Sequence, residues 1–199
     1  MPIMLQHASG DSAPLLALTA PIHAADCAAH GIDYRATYGL RQRERKPHWD
    51  KIVVIRETLT HAPEGDLVIW LDADALKISP EPFALSDGFD LGMVLNRRKI
   101  FNSGLILIRN CASTRTYFDR VWHQSPRKFW HCPLADESAM NHFKKEIDVE
   151  PLDSSWNFWA HCLKAPVEPV KVMAWHSVPK SIALGLMKSQ VKRISAASL

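Results

Sequence analysis

Two carboxylates, Asp72 and Asp74, stand directly after the run Asp66-Leu-Val-Ile-Trp-Leu71. That run is too short for an independent helix and too evenly apolar for a half-exposed strand. It predicts a central strand buried on both faces. In extended backbone, residues two apart project to the same side, so both acids are expected to enter one pocket at the strand's carboxyl end. Ligands of open α/β sheets bind at that end. Paired carboxylates there suit a hard divalent cation with open positions for a diphosphate, and such an ion stabilises the charge on a departing diphosphate. The plain alternative is a pair of turn-forming, helix-capping acids. Against it stands the cost of keeping ionised acids beside an apolar strand unless they are solvated or paired.

Other residues can join that chemistry. His176 ends the apolar stretch Val170 to Trp175, and imidazole is a good ligand for manganese or a similar borderline ion. With ten histidines in the chain, a lone structural histidine is the competing reading, and the aspartates are what favour a ligand. Lys180 can reach a phosphate oxygen or simply be solvated at a helix start, and Lys51 sits on the predicted helix before the Asp66 to Leu71 strand, where an exposed helical charge is the plain reading. Asn102-Ser103-Gly104 precedes the apolar run Leu105 to Ile108 and reads as a turn, whose donors can approach sugar hydroxyls. Asp136 and Glu137 open a predicted helix, where acids cap the dipole. A sugar-transfer site also needs acids near the anomeric carbon. Trp156-Asn157 adds a flat ring and an amide, useful to carbohydrate and equally at home in a core.

The elements that must position these residues alternate between short β-like runs and longer helical ones, the pattern of an α/β domain. Strands are predicted at Ile3 to Ala8, Ile32 to Thr37, Asp66 to Leu71, Leu91 to Leu95, Leu105 to Ile108, Val149 to Leu152 and Val170 to Trp175. A turn at Gly10 to Pro14 leads to a helix with Thr19 as N-cap, Pro21 in its first turn and Gly31 closing it. Further helices are predicted from His48 to Leu59, Ser113 to Trp122 and Asp136 to Lys145. A basic tail from Lys188 reads as a packed or mobile terminus, being short for the alternative of a membrane-surface helix.

With 199 residues, a hydrophobic fraction of 47% and 23% charged residues, the chain is expected to bury one core, as a single domain over 1–199. The net charge of +3 is too small for a nucleic-acid footprint. Its basic clusters, Arg41, Arg43, Arg45 and Lys46 and then Arg97, Arg98 and Lys99, read as solvated loops or element ends, with the border of a diphosphate site as the competing reading. The four cysteines have no metal or redox spacing and read as reduced, mostly buried thiols. No stretch has the roughly 20 apolar residues of a membrane span, and the N-terminus lacks a secretion signal, so the expected location is the cytoplasm.

Taken together and in order, these motifs resemble the GT-A-fold nucleotide-diphospho-sugar transferases, most closely the galactosyl, mannosyl and xylosyltransferase family. The matching stretches are Trp49-Asp-Lys51-Ile, Leu71-Asp72-Ala73-Asp74, Phe101-Asn102-Ser103-Gly104 with its following strand, Asp136-Glu137 with Met140-Asn141, Trp156-Asn157 and His176. The resemblance implies a Rossmann-like mixed sheet flanked by helices. It implies that Asp72, Asp74 and His176 bind manganese or magnesium. Lys51, Asp72, Ala73, Asn102, Ser103, Gly104, Asp136 and Lys180 are then expected around the nucleotide sugar, with Asp136 and Glu137 catalytic and anomeric configuration retained. The partners implied are a nucleotide-diphosphate sugar and a carbohydrate, glycolipid or other acceptor. Where the family commonly has Asp-Gln, this chain has Asp136-Glu137, which turns an amide into a potential nucleophile or base.

Two other readings compete. A haloacid-dehalogenase-type phosphohydrolase also places Asp-x-Asp after a strand, but expects it near the N-terminus with Thr or Val where Leu76 stands. A non-catalytic nucleotide- or carbohydrate-binding module would keep the fold without turnover.

Overall fold

The computed structural model describes residues 1–95, 99–160, 169–176 and 178–197; Arg97, Arg98 and Cys162 lie outside them. Along the chain run β1 (Ile3–Ala8), α1 (Ala13–Ala29), β2 (Asp33–Tyr38), α2 (Asp50–His61), β3 (Leu67–Leu71), β4 (Ala75–Lys77) and β5 (Leu91–Leu95). They are followed by β6 (Phe101–Arg109), α3 (Ala112–Gln124), α4 (Ala135–His142), β7 (Val149–Leu152), β8 (Phe158–Trp159), β9 (Val172–Ala174) and α5 (Lys180–Ala197). The larger sheet has the order β2-β1-β3-β6-β5-β7, and a smaller one the order β4-β9-β8. In the larger sheet β6 alone is antiparallel to its neighbours.

Alternation along the central strands explains why both faces are covered. Ile3, Leu5, Val68, Trp70, Ile106 and Ile108 pack on one side against Trp49, Ile52 and Ile55 of the α2 region and Phe118 of α3. Met4, Ile69, Leu71, Leu105 and Leu107 face the other side, toward Cys27 of α1 and the small sheet's Ala75, Val172 and Ala174. The β3 run is thus the doubly buried strand that its composition predicts.

The reversed direction of β6 corrects one expectation. Asn102-Ser103-Gly104 is the start of the strand, not a turn before it. Because β6 is antiparallel, these residues arrive at the same sheet edge as the carboxyl ends of β1 and β3. The pairing with β5 also shifts there: Met93 faces Ile106, but Val94 faces Asn102. This irregularity leaves Ser103 and Gly104 without β5 partners, in keeping with the way bulges re-aim side chains beside functional sites.

The first helix begins earlier than its cap signals suggest. It starts at Ala13 with Pro14 in its first turn, and Pro21 lies inside it. Thr19 is buried within the helix, its hydroxyl donating to the carbonyl oxygens of Leu15 and Leu16 at 3.3 and 3.5 Å. An internal proline costs about 3 kcal/mol. It is tolerated here because Pro21 and Ala17 face solvent while Leu15, Leu16, His23 and Cys27 bury the opposite side. The basic tail is also ordered, as part of α5, which packs Ala183 and Met187 against Leu15 and Trp175. Of the cysteines, Cys27 is buried, whereas Cys111 and Cys132 are half-buried; all three are free thiols.

Candidate active site

Asp72 and Asp74 lie in a turn between β3 and β4, not in extended backbone. The Ala75 N–H closes that turn on the Asp72 carbonyl at 3.1 Å, while the Asp72 N–H donates to Gly104 of β6 at 2.8 Å. The turn still brings both acids into one site: ligand atoms of Asp72, Asp74 and His176 all lie within 4.8 Å of one another. Ala73 between them packs inward on Ala8 and Leu16.

Two buried side chains hold this turn from behind. Gln6 of β1 donates to the Asp72 carbonyl at 3.3 Å and accepts from the Tyr34 hydroxyl at 2.7 Å. His23 of α1 meets the same Gln6 oxygen at 2.7 Å through Nδ1, and its Nε2 accepts the Lys77 N–H at 3.1 Å. With Nε2 accepting, the proton resides on Nδ1 and the ring is neutral. Burial first, and Lys77 second, lower its pKa to about 3. The unfolded chain therefore takes up a proton below pH 6.5 that the folded chain refuses, and stability falls as pH drops from 6.5 toward 3. By pH 5 the loss from this residue is expected to be about 2 kcal/mol. Urea unfolding at pH 7 and pH 5 should show a loss that His23→Leu shows no longer; an equal loss in both proteins would refute the assignment.

His176 is oriented as a ligand should be. Its Nε2 donates to Asn157 Oδ1 at 2.9 Å, leaving Nδ1 facing Asp74 Oδ1 at 3.5 Å. The Asn157 amide donates in turn to Asn102 Oδ1, which also accepts the Gly104 N–H at 2.9 Å. Burial alone would lower the His176 pKa, but Asp74 outweighs it and the net shift is upward. Asp74 is 7% exposed, and its Oδ1 is sealed from solvent with no hydrogen-bond partner. A buried, unpartnered carboxylate oxygen beside a ring nitrogen, with the half-exposed Asp72 alongside, is a donor set that fits a borderline divalent ion. Lys180 opens α5, and its Nζ lies 2.7 Å from Asp74 Oδ2.

Gly104 makes room for that ring. An added Cβ would stand 2.6 Å from His176 Cε1 and 2.7 Å from Nε2. Gly104→Ala is expected to rotate the imidazole off Asn157 and weaken divalent-ion binding about 10- to 100-fold, the usual cost of losing a ligand's orienting partner. Titration calorimetry with manganese checks this; unchanged affinity would show that His176 is not a ligand.

Lys51 joins the metal-type residues to the second pair of acids. From the first turn of α2 its Nζ lies 3.0 Å from both Asp72 Oδ1 and Asp136 Oδ2. It also donates to the Ser103 carbonyl at 2.7 Å and hydroxyl at 3.0 Å. Burial opposes its charge, but Asp136 and then Asp72 outweigh burial and raise its pKa. The alternative of an exposed helical charge is thereby excluded. Ser103 donates its hydroxyl to Asp136 at 2.9 Å and its N–H to Glu137 at 3.3 Å. Burial raises the Glu137 pKa, against the contrary pull of Ser103 and Lys51. Asp136 and Glu137 thus face the site from α4 and are not merely helix caps.

Of the two readings open for Trp156 the core one holds, whereas Trp159 carried no sequence signal for the site. Trp156 packs against Phe83 with centroids 5.3 Å apart and lies under Lys171, so its ring is structural. Trp159, 42% exposed, stands edge-on to His176 at 6.5 Å. Trp70 also escaped notice: its indole N–H donates to Asp72 Oδ1 at 2.7 Å.

A glycosyltransferase involved in glycosylation of the major capsid of PBCV-1 superposes with a TM-score of 0.77 at 12% identity, over 95% of this chain and 100% of that one. The fold is GT-A. The galactosyltransferase LgtC, solved with donor and acceptor sugar analogues, shares this GT-A fold with a TM-score of 0.56 at 14% identity, over 92% of this chain and 95% of its own. A mutant of Drosophila β1,4-galactosyltransferase 7 in complex with manganese, UDP-Gal and xylobiose gives 0.52 at 12% identity, over 89% and 72%. No family profile and no curated protein matches the sequence. Within this fold Asp72 and Asp74 follow β3, Asn102, Ser103 and Gly104 open β6, and His176 follows β9, while Lys51, Asp136, Glu137 and Lys180 come from the first turns of α2, α4 and α5.

Proposed function

We propose that this chain is a metal-dependent glycosyltransferase that moves a hexosyl or pentosyl group from a nucleotide-diphosphate sugar to a carbohydrate, glycolipid or other acceptor. The observation that carries the reading is Lys51, which ties Asp72 of the metal-type cluster to Asp136 of the acidic pair at 3.0 Å each. A site for diphosphate departure and a site for sugar chemistry are thus one constellation, on the fold of enzymes solved with sugar ligands.

Asp72, Asp74 and His176 would hold manganese or magnesium. When bound, that ion supplies charge stabilisation for the departing diphosphate. Lys180, beside Asp74, supplies a further cation for phosphate oxygens, and Lys51 fixes the Asp72 carboxylate. Ser103 and Asp136 present hydrogen-bonding groups to the transferred sugar, with Asn102 and Gly104 setting the His176 side of the pocket. Glu137 takes the position of nucleophile or base. Two successive displacements through a carboxylate return the anomeric configuration to its starting state, which supports retention. Three free thiols among the described residues favour a reducing, cytoplasmic setting, and no described helix is long and apolar enough to cross a membrane.

The test is release of nucleoside diphosphate from a panel of nucleotide sugars with manganese, with the product anomer followed by NMR. Turnover of one donor with retained configuration supports the reading, and inversion removes the nucleophilic role of Glu137. Phosphate release from simple monoesters without nucleotide-sugar turnover would favour the phosphohydrolase, and binding without turnover the non-catalytic module. Glu137→Gln is expected to lower turnover by about 100-fold or more, from the lower end upward of the range for a positioned acid or base. Full activity in that variant would leave Glu137 as a sugar contact only.

A further inference from the structure

The segment between β2 and α2 carries Arg41, Arg43, Arg45 and Lys46, and its sequence reads as a solvated basic loop. Arg45 departs from that reading: it is 9% exposed. Its guanidinium carbon lies 4.5 Å from the ring centroid of Trp49, 4.0 Å from that of Trp122 and 4.2 Å from that of Trp130. The Arg45 Nε and Nη1 atoms are sealed from solvent with no hydrogen-bond partner, as are the indole nitrogens of Trp49 and Trp130. Three ring faces therefore enclose the cation where Nε and Nη1 lie, and burial lowers its pKa against the contrary pull of Glu44.

Such an arrangement is a poor way to gain stability. An apolar side chain would fill the same volume without the cost of desolvating a charge, and replacing buried charge by hydrophobic residues is often neutral or stabilising. A planar guanidinium, however, stacks on aromatic faces in a fixed orientation that an alkyl chain does not impose. What it fixes is informative. Trp49 lies two residues before Lys51, and Trp130 lies six residues before Asp136. The Lys46 N–H donates to the Trp130 carbonyl at 3.2 Å, and Trp49 meets Trp122 of α3 edge-on at 6.0 Å.

We infer that Arg45 is a positioning residue, which clamps the segments entering α2 and α4 at the spacing where Lys51 meets Asp136. The clamp is a statement about geometry; its effect on turnover rests on the proposed transferase function. Misplacing a reacting group by about 1 Å can cost about 100-fold in rate, so a loosened clamp acts on kcat with little effect on donor binding.

The experiment compares the wild-type chain with Arg45→Met and Arg45→Lys. It records melting temperature, hydrogen exchange over residues 135–141, and kcat and KM for whichever nucleotide sugar the wild type turns over with manganese. Arg45→Met is expected to melt within about 4 °C of wild type or above it. Its α4 amides should exchange at least about tenfold faster as local opening becomes easier. The same variant should lose about tenfold in kcat with donor KM within about twofold, and Arg45→Lys should fall between it and wild type. A methionine variant that fails to fold, or melts more than about 4 °C lower, makes Arg45 a stabilising residue and overturns the inference. Unchanged exchange overturns the clamp, and faster exchange with unchanged kcat overturns its link to transfer. If the wild type turns over no nucleotide sugar, the functional reading fails, and melting and exchange alone decide the clamp.

Discussion

Asp74→Asn is expected to abolish metal-dependent nucleotide binding while the chain stays folded. Burial works to raise the Asp74 pKa, but His176 and Lys180 outweigh it and hold the carboxyl well below its ordinary range. The group is therefore ionised at any pH used for an assay, and its charge is what a cation at His176 Nδ1 would share. Asparagine keeps the shape but removes that charge and one of two oxygen donors. Partners that merely orient a ligand are worth about 10- to 100-fold in affinity, so losing the ligand itself should cost more than about 100-fold. The fold should survive, because the Trp175 N–H bonds to the Asp74 backbone carbonyl at 2.9 Å, which the substitution leaves in place. Manganese titration with a thermal melt in parallel checks both halves. Affinity within about threefold of wild type would remove Asp74 from the ligand set, since even orienting partners cost more.

Lys51→Met should be the most damaging single change to stability in this region. Methionine occupies similar volume, but two carboxylates then face each other across a buried space without a counter-charge. Breaking a buried ion pair by removing one partner costs about 3–5 kcal/mol, and the lower end applies because the Asp72 side chain retains 26% exposure. A protein of this size loses about 2–4 °C in Tm per kcal/mol, so a fall of roughly 10 °C is expected. Nucleotide binding should be lost as well, because Asp72 would no longer be held between Lys51 and Trp70. A thermal melt shows the first effect and calorimetry the second. A variant that melts like wild type would mean that Asp136 and Asp72 are relieved by solvent and that Lys51 is not the strut described here.

Much of the fold was readable because its signals are local. The β3 run is apolar along its whole length, and acids directly after such a run have few structural reasons to exist, so the strand and the metal-type pair were both legible. The three-residue shift at Asn102 was not, because a bulge depends on how β5 and β6 pair across the sheet, and glycine after Asn and Ser reads as a turn in isolation. Helix α1 hid its start behind Pro14 and Pro21, where the cap signal at Thr19 pointed about two turns too far along. Polar partners supplied by distant segments were invisible for the same reason: nothing in the residues around Gln6 or His23 announces that they pin the Asp72 turn. Arg45 carries the clearest lesson. A basic residue amid Arg41, Arg43 and Lys46 looks solvated until Trp122 and Trp130, from elements far along the chain, close over it.

The central claim is that Asp72, Asp74 and His176 bind a divalent ion that in turn binds a nucleoside diphosphate. The most direct measurement is isothermal titration of nucleoside diphosphates into the wild-type chain with and without manganese, repeated on Asp74→Asn. The account predicts binding of one nucleotide by the wild type in manganese, at least about 100-fold weaker binding in its absence, and equally weak binding by the variant in either condition. Equal affinity with and without manganese, or an Asp74→Asn variant that still responds to the metal, would contradict it.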